Sequence, residues 1–428
     1  MLLSDPLYGP VDLPEWLRPV LLSPEVQRLR WISLINTHTP SFPALSETRR
    51  FTHTIGAFHL CELLNSQVSE AWTKEQQRAL QVAVLVHDVA TPAFGHLFEY
   101  QLASLLGWSH EKFIAEVIYG TYRPEKRYHQ ILYSNSIKLH RVLRALGTDI
   151  DFIVALIQGR TPLSNVLAGS IDVDNMDNVF RMAKLLGLKD NGYDPRVLLD
   201  HVAIDGEGLV LEPEALPQVA AWQETRKSVY SVLAFDEWAI SGQAMLTDCI
   251  TAALKQKRLG QEHWHLTDEM LLGELASFDE TKEATSRFAV ADFYDCLFLG
   301  WYNCPKGDTD LRHYEIRADL TKRLETKLGI PCSVYVFYDN GTFSKDLRVR
   351  LTGPGRQVQS VSLSEKSEST IVGVFTPRRI DSLAKKRLEG KAIEFLEKYG
   401  LSSSSLMSLP DKRELYGIHS QAKLPFRA

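Results

Sequence analysis

Apolar residues recur every three or four positions over most of the chain, which is helical spacing. On this pattern residues 24–36 (PEVQRLRWISLIN), 52–68 (THTIGAFHLCELLNSQV) and 75–90 (EQQRALQVAVLVHDVA) are predicted helices, and the polar 37–48 stretch between the first two is a loop. The run LQVAVLV is almost wholly apolar, so its helix should be buried. Thr91-Pro92 ends it, because proline cannot continue a helix. Further helices are predicted over 109–119, 136–160, 171–187 and 214–257 and onward to about residue 329, with 119–130 a polar excursion. The period then changes. SVYVFYDNGTF carries a strand-like run into the turn pair Asn340-Gly341, DLRVRLTG alternates polar and apolar, and STIVGVFTP predicts a third strand. An amphipathic helix over 379–400 closes at Gly400, and a polar tail follows. The expected fold is mainly α: a helical domain over 1–330, then a small α+β module and tail over 331–428.

Composition narrows the function classes. Of 428 residues, 44% are hydrophobic and 24% charged, enough to bury a sizeable core. The formal net charge is −5, so no global basic surplus exists to hold a nucleic-acid backbone, although a local basic patch could still bind phosphate. The five cysteines are scattered and form no CxxC pair, which argues against a thiolate zinc site or a disulfide framework. A reducing cytoplasmic location fits them best. Neither a basic-then-apolar leader nor a run of about 18 apolar residues is present, so no membrane role is expected.

The chemistry concentrates in three separated pieces: Arg49-Arg50-Phe51-Thr52-His53-Thr54-Ile55-Gly56, the His87-Asp88 pair, and Ile171-Asp172-Val173-Asp174-Asn175-Met176-Asp177. An aspartate at the end of a buried helix is costly unless a cation or hydrogen bonds satisfy it. Two histidines and two carboxylates suit a hard or borderline divalent ion such as Mn, Mg, Fe, Zn, Co or Ni. An ion so held keeps positions open for water and a phosphate oxygen, lowers the water's pKa and screens phosphate charge. Taken singly, each residue has an ordinary reading: His53 as a satisfied core histidine, Asp174 as a salt-bridge partner. The ordered set of HxxG, then HD on an apolar helix, then a late aspartate is far more specific.

These pieces resemble the HD superfamily of metal-dependent phosphohydrolases, and within it the deoxynucleoside triphosphate triphosphohydrolase branch. The likeness extends to "DPLYGPVDL", "VQRLRWI", "FPALSETRRFTHTIG", "LVHDVATPAFGHLFE", "GWSHE" and "IDVDNMD", and covers about residues 5–260. It implies a helical HD core with His53, His87, Asp88 and Asp174 as metal ligands. It further implies that Arg50 and Arg226 contact substrate phosphates, arginine's planar fork being suited to them. His96 and His110 match histidines lining the family's catalytic pocket, where an imidazole can act as general acid or orient water. Surface or capping roles for these histidines, and a structural salt bridge for Arg50, are the ordinary alternatives. The resemblance also implies a nucleotide substrate and assembly into homo-oligomers.

The departures from the branch are specific. Thr91 stands where a histidine is usual, and Glu99 stands for its paired aspartate. Asn175 replaces a lysine that contacts phosphate and is kept as a candidate substrate contact, with one charge fewer. Asn178 replaces a tyrosine beside the sugar, and Leu34 and Met182 replace the glutamine and aspartate that read the sugar 3′-hydroxyl. Losing partners from a site built to read a hydroxyl weakens that discrimination strongly. With the metal set intact, the expectation is a phosphohydrolase with a rebuilt substrate pocket, in which Glu99 and His110 or His96 supply acid–base chemistry. Two alternatives stay open: a nucleotide-binding sensor with little turnover, and a phosphodiesterase acting on another phosphorylated nucleotide.

Overall fold

The computed structural model describes residues 1–67, 72–122, 138–205, 207–307, 309–353, 357–364 and 368–417. The polar stretch beyond residue 122, the start of the helix expected at 136 and the last eleven residues of the tail lie outside the described residues.

The helical part is built around three neighbours. Helix α1 (Arg50–Gln67) packs between α2 (Lys74–Val86) and a later helix from the aspartate-rich segment. Thr73 caps α2 by accepting from the Gln76 amide while the Gln76 side chain accepts from the Thr73 amide, a reciprocal cap. Every residue from Val82 to Val86 is buried, as the apolar run predicts. Burying each such valine stabilises the fold by about 1.5–3 kcal/mol, so the His87-Asp88 pair is carried on one of the best-anchored helices. Helices α3 (His96–Leu106) and α4 (His110–Tyr119) follow. Then α5 (Val173–Leu186) packs on α1 and on α6 (Leu216–Ala234).

The long helix expected over 214–257 is two. Helix α6 stops at Ala234, and α7 (Glu237–Lys255) begins after Asp236, whose carboxylate accepts the Ala239 amide. An aspartate that caps a new helix N-terminus gains from the orphan amides there, which favours a break over one continuous helix. The 24–36 helix likewise resolves into two short turns, Pro24–Arg28 and Leu29–Trp31.

Strands are more numerous than the pattern suggests. Before the helical core, β1 (Leu2–Asp5) and β2 (Gly9–Asp12) form a hairpin. After α5 come β3 (Val202–Asp205) and β4 (Gly208–Leu211). Strand β5 (Asp295–Tyr302) lies in a region expected to be helical. Helix α8 (Tyr314–Leu328) is followed by β6 (Ser333–Asn340), β7 (Leu347–Thr352), β8 (Val358–Ser364) and β9 (Glu368–Thr376), then α9 (Ser382–Leu396) and the short β10 (Leu406–Met407). One sheet has the order β10-β5-β9-β6, and another the order β3-β4-β7-β8. Strand β9 is flanked by β5 and β6, with Val336 opposite Val372, so it is buried from Ser369 to Thr376 around the apolar run Ile371–Phe375. A second hydrophobic core begins with Leu297 and gathers β5, α8, β6, β9 and α9. The composition change near residue 330 therefore falls inside this unit, not at its edge. Strand β7 pairs in parallel with β4, and Leu347 and Val349 join the main core, so the C-terminal strands reach back over the helical part.

Candidate metal centre and substrate cavity

Three elements meet at one point. His53 comes from the first turn of α1, His87 and Asp88 from the end of α2, and Asp174 from the first turn of α5. His53, His87 and Asp88 are buried and offer ligand atoms all within 4.8 Å of one another. Asp174 Oδ1 lies 2.8 Å from His53 Nε2 and 3.8 Å from His87 Nε2.

Hydrogen bonding fixes the tautomer of His87. Its Nδ1 is 2.7 Å from the Val84 carbonyl, which can only accept, so Nδ1 carries the proton. Nε2 then presents a lone pair, and it is buried without a hydrogen-bond partner. A buried acceptor aimed among carboxylates fits a cation, and the donor set of two imidazoles and two carboxylates fits a divalent metal. His53 donates through Nδ1 to Asp177 Oδ2 at 2.7 Å, which leaves Nε2 for the cluster. Burial disfavours its imidazolium, but the bonds to Asp174 and Asp177 outweigh this and raise its pKa to about 10. A metal at Nε2 must displace that proton. Below pH 10 the proton competes, so metal affinity should rise with pH, by up to about tenfold per unit. Calorimetric titration with Mn at pH 6.5, 7.5 and 8.5 should show progressively tighter binding, and a flat profile would contradict this ligand role for His53.

Behind His53 runs a fully buried chain of charges. Arg181, one turn after Asp177 on α5, donates from Nε to Asp177 Oδ2 and from Nη2 to Asp177 Oδ1, both at 2.9 Å. Nη2 also reaches Asp5 Oδ2 at 2.8 Å. The chain of Asp5, Arg181 and Asp177 orients the His53 ring from its far side. It also explains the glycine of the HxxG pattern: a Cβ at Gly56 would overlap both Asp177 Oδ1 and Arg181 Nη2, which are themselves locked. Gly56→Ala should therefore destabilise the protein by about 2–4 kcal/mol, and denaturant unfolding would show it; a loss under about 1 kcal/mol would mean that α1 shifts freely.

A cavity of about 410 Å³ adjoins the cluster. Two of its lining residues also touch the cluster carboxylates. Arg50 Nη1 donates to both Asp88 oxygens, at 3.1 and 3.0 Å, and Asn178 Nδ2 donates to Asp174 Oδ1 at 3.3 Å. Arg226 lines the cavity too, stacked 4.6 Å over the Tyr230 ring, with its Nε and Nη1 unpartnered although the residue is buried. Leu34 and Met182 are in the wall, as are Tyr335, Phe337 and Thr342 from the C-terminal strands. The cavity is thus roofed by the second unit, which the sequence did not reveal.

The remaining candidates are placed as follows. His96, the first residue of α3, is largely exposed at the cavity rim, and its Nδ1 lies 2.7 Å from Glu99 Oε2. The turn delivering it includes Phe94 at a φ of +52°, an uncommon conformation for a bulky residue, held by the Phe94 amide donating to buried Asp268 at 2.8 Å. Burial lowers the pKa of His110, at the start of α4, against the pull of Glu99 and Asp88, so it rests neutral; it does not line this cavity. Asn175 turns away: its amide donates to both oxygens of Asp172, at 3.0 Å each, and so supports the cap of α5. Thr91 donates to Asp88 Oδ1 at 2.7 Å and so helps hold the carboxylate that Arg50 grips. Asp177, Arg181 and Asp5 were missed by sequence reasoning, although Asp177 stands in the aspartate-rich segment and Arg181 follows at the i+4 spacing of helical ion pairs.

Comparison with known proteins agrees with this geometry. Residues 50–182 match the HD domain family. It is similar to the deoxynucleoside triphosphate triphosphohydrolase SAMHD1 homolog of Dictyostelium discoideum, 24% identical over 273 residues, covering 59% of this chain and 49% of that protein. Deoxynucleoside triphosphate triphosphohydrolase SAMHD1 of Gallus gallus is 26% identical over 231 residues, 46% of this chain and 35% of that one. The chain thus spans half or less of the length of these relatives. The crystal structure of a phosphohydrolase from Bacteroides thetaiotaomicron superposes with a TM-score of 0.66 at 15% identity, covering 89% of this chain and all of that one, which shows a shared fold. Among the described residues, no helix is long and apolar enough to cross a membrane.

Proposed function

We propose that the protein is a metal-dependent phosphohydrolase acting on nucleotides, with (deoxy)nucleoside triphosphates as its substrates. The observation that carries this reading is the unpartnered His87 Nε2, set between the Asp88 and Asp174 carboxylates, next to a cavity that Arg50 and Arg226 line. Its SAMHD1-named relatives support the nucleotide class. His53, His87, Asp88 and Asp174 would hold the ion. When bound, it supplies Lewis acidity toward phosphate and lowers the pKa of the attacking water.

The chain's own residues do the rest. Arg50 and Arg226 hold phosphate oxygens and orient the scissile phosphorus. His96, aligned by Glu99, delivers a proton to the leaving oxygen. His110, kept neutral by burial, accepts or relays a proton. Attack at the α-phosphorus would break its bond to the nucleoside oxygen and release nucleoside and triphosphate.

The test is incubation with the four dNTPs and four NTPs, singly and mixed, with Mg, Mn and Co, and separation of products by ion-pair chromatography. Nucleoside plus triphosphate is the expected result. Tight nucleotide binding with no product under any condition would instead favour the sensor reading, which the apolar Leu34 and Met182 in the cavity wall also support.

A further inference from the structure

We propose that Lys345, carried to the edge of the site by the turn that links β6 of one sheet to β7 of the other, binds the phosphate chain of the substrate together with Arg226. The inference rests on the hydrolase reading for its substrate and on the fold for its geometry.

This turn is built to hold that position. Asp339 Oδ1 accepts the Thr342 and Phe343 amides at 2.7 and 3.3 Å and closes the turn around Gly341, whose φ is +86°. The turn is pinned on α6: Gln223 Nε2 donates to the Lys345 carbonyl at 3.1 Å, and Arg226 Nη2 to the Gly341 carbonyl at 3.5 Å. Thr342 lines the cavity beside Arg50 and Arg226. The Lys345 ammonium donates to the Gly169 carbonyl at 3.0 Å, in the loop that leads to Asp172 and Asp174.

The charges explain what such a position is for. Burial pushes the Lys345 ammonium toward neutrality, the carboxylates of Asp172 and Asp174 oppose that, and the nearby Arg226 guanidinium adds repulsion. Two cations from distant parts of the chain are thus brought to one turn, which Arg226 grips at the Gly341 carbonyl, and Arg226 keeps its Nε and Nη1 nitrogens without acceptors in a buried setting. An anion carrying more than one phosphate resolves both problems: it supplies acceptors to Arg226 and neutralises the pair. Asn175 cannot supply this charge, since it is neutral and bonded to Asp172. The C-terminal unit therefore contributes a substrate contact as well as a wall, and it favours polyphosphates over single phosphates.

The test uses the full metal-loaded chain and inorganic ligands, so it does not depend on turnover. Calorimetry of tripolyphosphate and orthophosphate would compare the wild type with Lys345→Gln and Lys345→Arg. Lys345→Gln should weaken tripolyphosphate about tenfold or more, the worth of a charge-assisted hydrogen bond, with orthophosphate changed less than about twofold. Lys345→Arg should retain most of the affinity. The proposal is overturned if wild-type protein does not bind tripolyphosphate, if Lys345→Gln binds it unchanged, or if both ligands weaken together, since Lys345 would then only anchor the Gly169 loop. A chain that shows the expected pattern yet cleaves no nucleotide would refute the hydrolase reading and leave this contact standing.

Discussion

His87→Ala and Asp174→Ala each lower kcat/KM for nucleotide hydrolysis by on the order of a thousandfold or more, while the protein stays folded. The folded state tolerates both changes for local reasons. His87 bonds only through Nδ1 to a carbonyl in its own helix, and its Nε2 bonds to nothing in the protein. Burial, with repulsion from nearby Asp174 added to it, pushes the Asp172 pKa up to about 7. Removing Asp174 relieves that repulsion, which offsets the loss of the acceptor that His53 Nε2 and Asn178 share, and His53 keeps its second bond to Asp177. Asp88→Ala is a poorer test, because Arg50 and Thr91 would lose their acceptor and the fold would suffer as well. Turnover, thermal melts and metal content should be measured together. Full turnover in either variant would refute the ligand assignment.

Arg181→Met has the largest expected effect on stability. Arg181, Asp177, Asp5 and the His53 ring are all fully buried, and one guanidinium serves both carboxylates. Removing it leaves two carboxylates without their cation in a medium that solvates charge poorly. The cost of breaking such a buried set is about 3–5 kcal/mol. The midpoint of urea unfolding should drop accordingly, with an unchanged slope. Metal affinity should fall as well, by about ten- to a hundredfold, because Asp177 would no longer be held to orient His53. A loss of less than about 1 kcal/mol would mean that Asp5 and Asp177 take up protons at little cost and that the chain is not a structural keystone.

How far the sequence announces these features depends on how local their physics is. The buried α2 with its terminal His87-Asp88 was legible, because a solid apolar run followed by two polar ligands is a local conflict that asks for an explanation. His53 and Asp174 were legible through order and spacing together with family likeness. Strand β5 was not: DCLFLGWY is a short apolar run between helical stretches, and periodicity alone does not separate a buried strand from a buried helix. The role of Asp177 depends on which face of α5 meets α1, which only packing decides. Lys345 lies about 170 residues from Asp174 in sequence, and nothing local marks it as anything but a turn lysine. Asn175, read as a substrate contact, instead bonds to the capping Asp172, a use that asparagine's short amide favours at a helix start.

The most direct test of the central claim is the metal itself. Crystals of the protein soaked with Mn should be examined by anomalous diffraction, with elemental analysis of the same preparation. The account predicts one ion per chain at this centre, ligated by His53 Nε2, His87 Nε2, Asp88 and Asp174, and lost in His87→Ala. No bound ion at saturating metal, or an ion held elsewhere with these four side chains uninvolved, would contradict it.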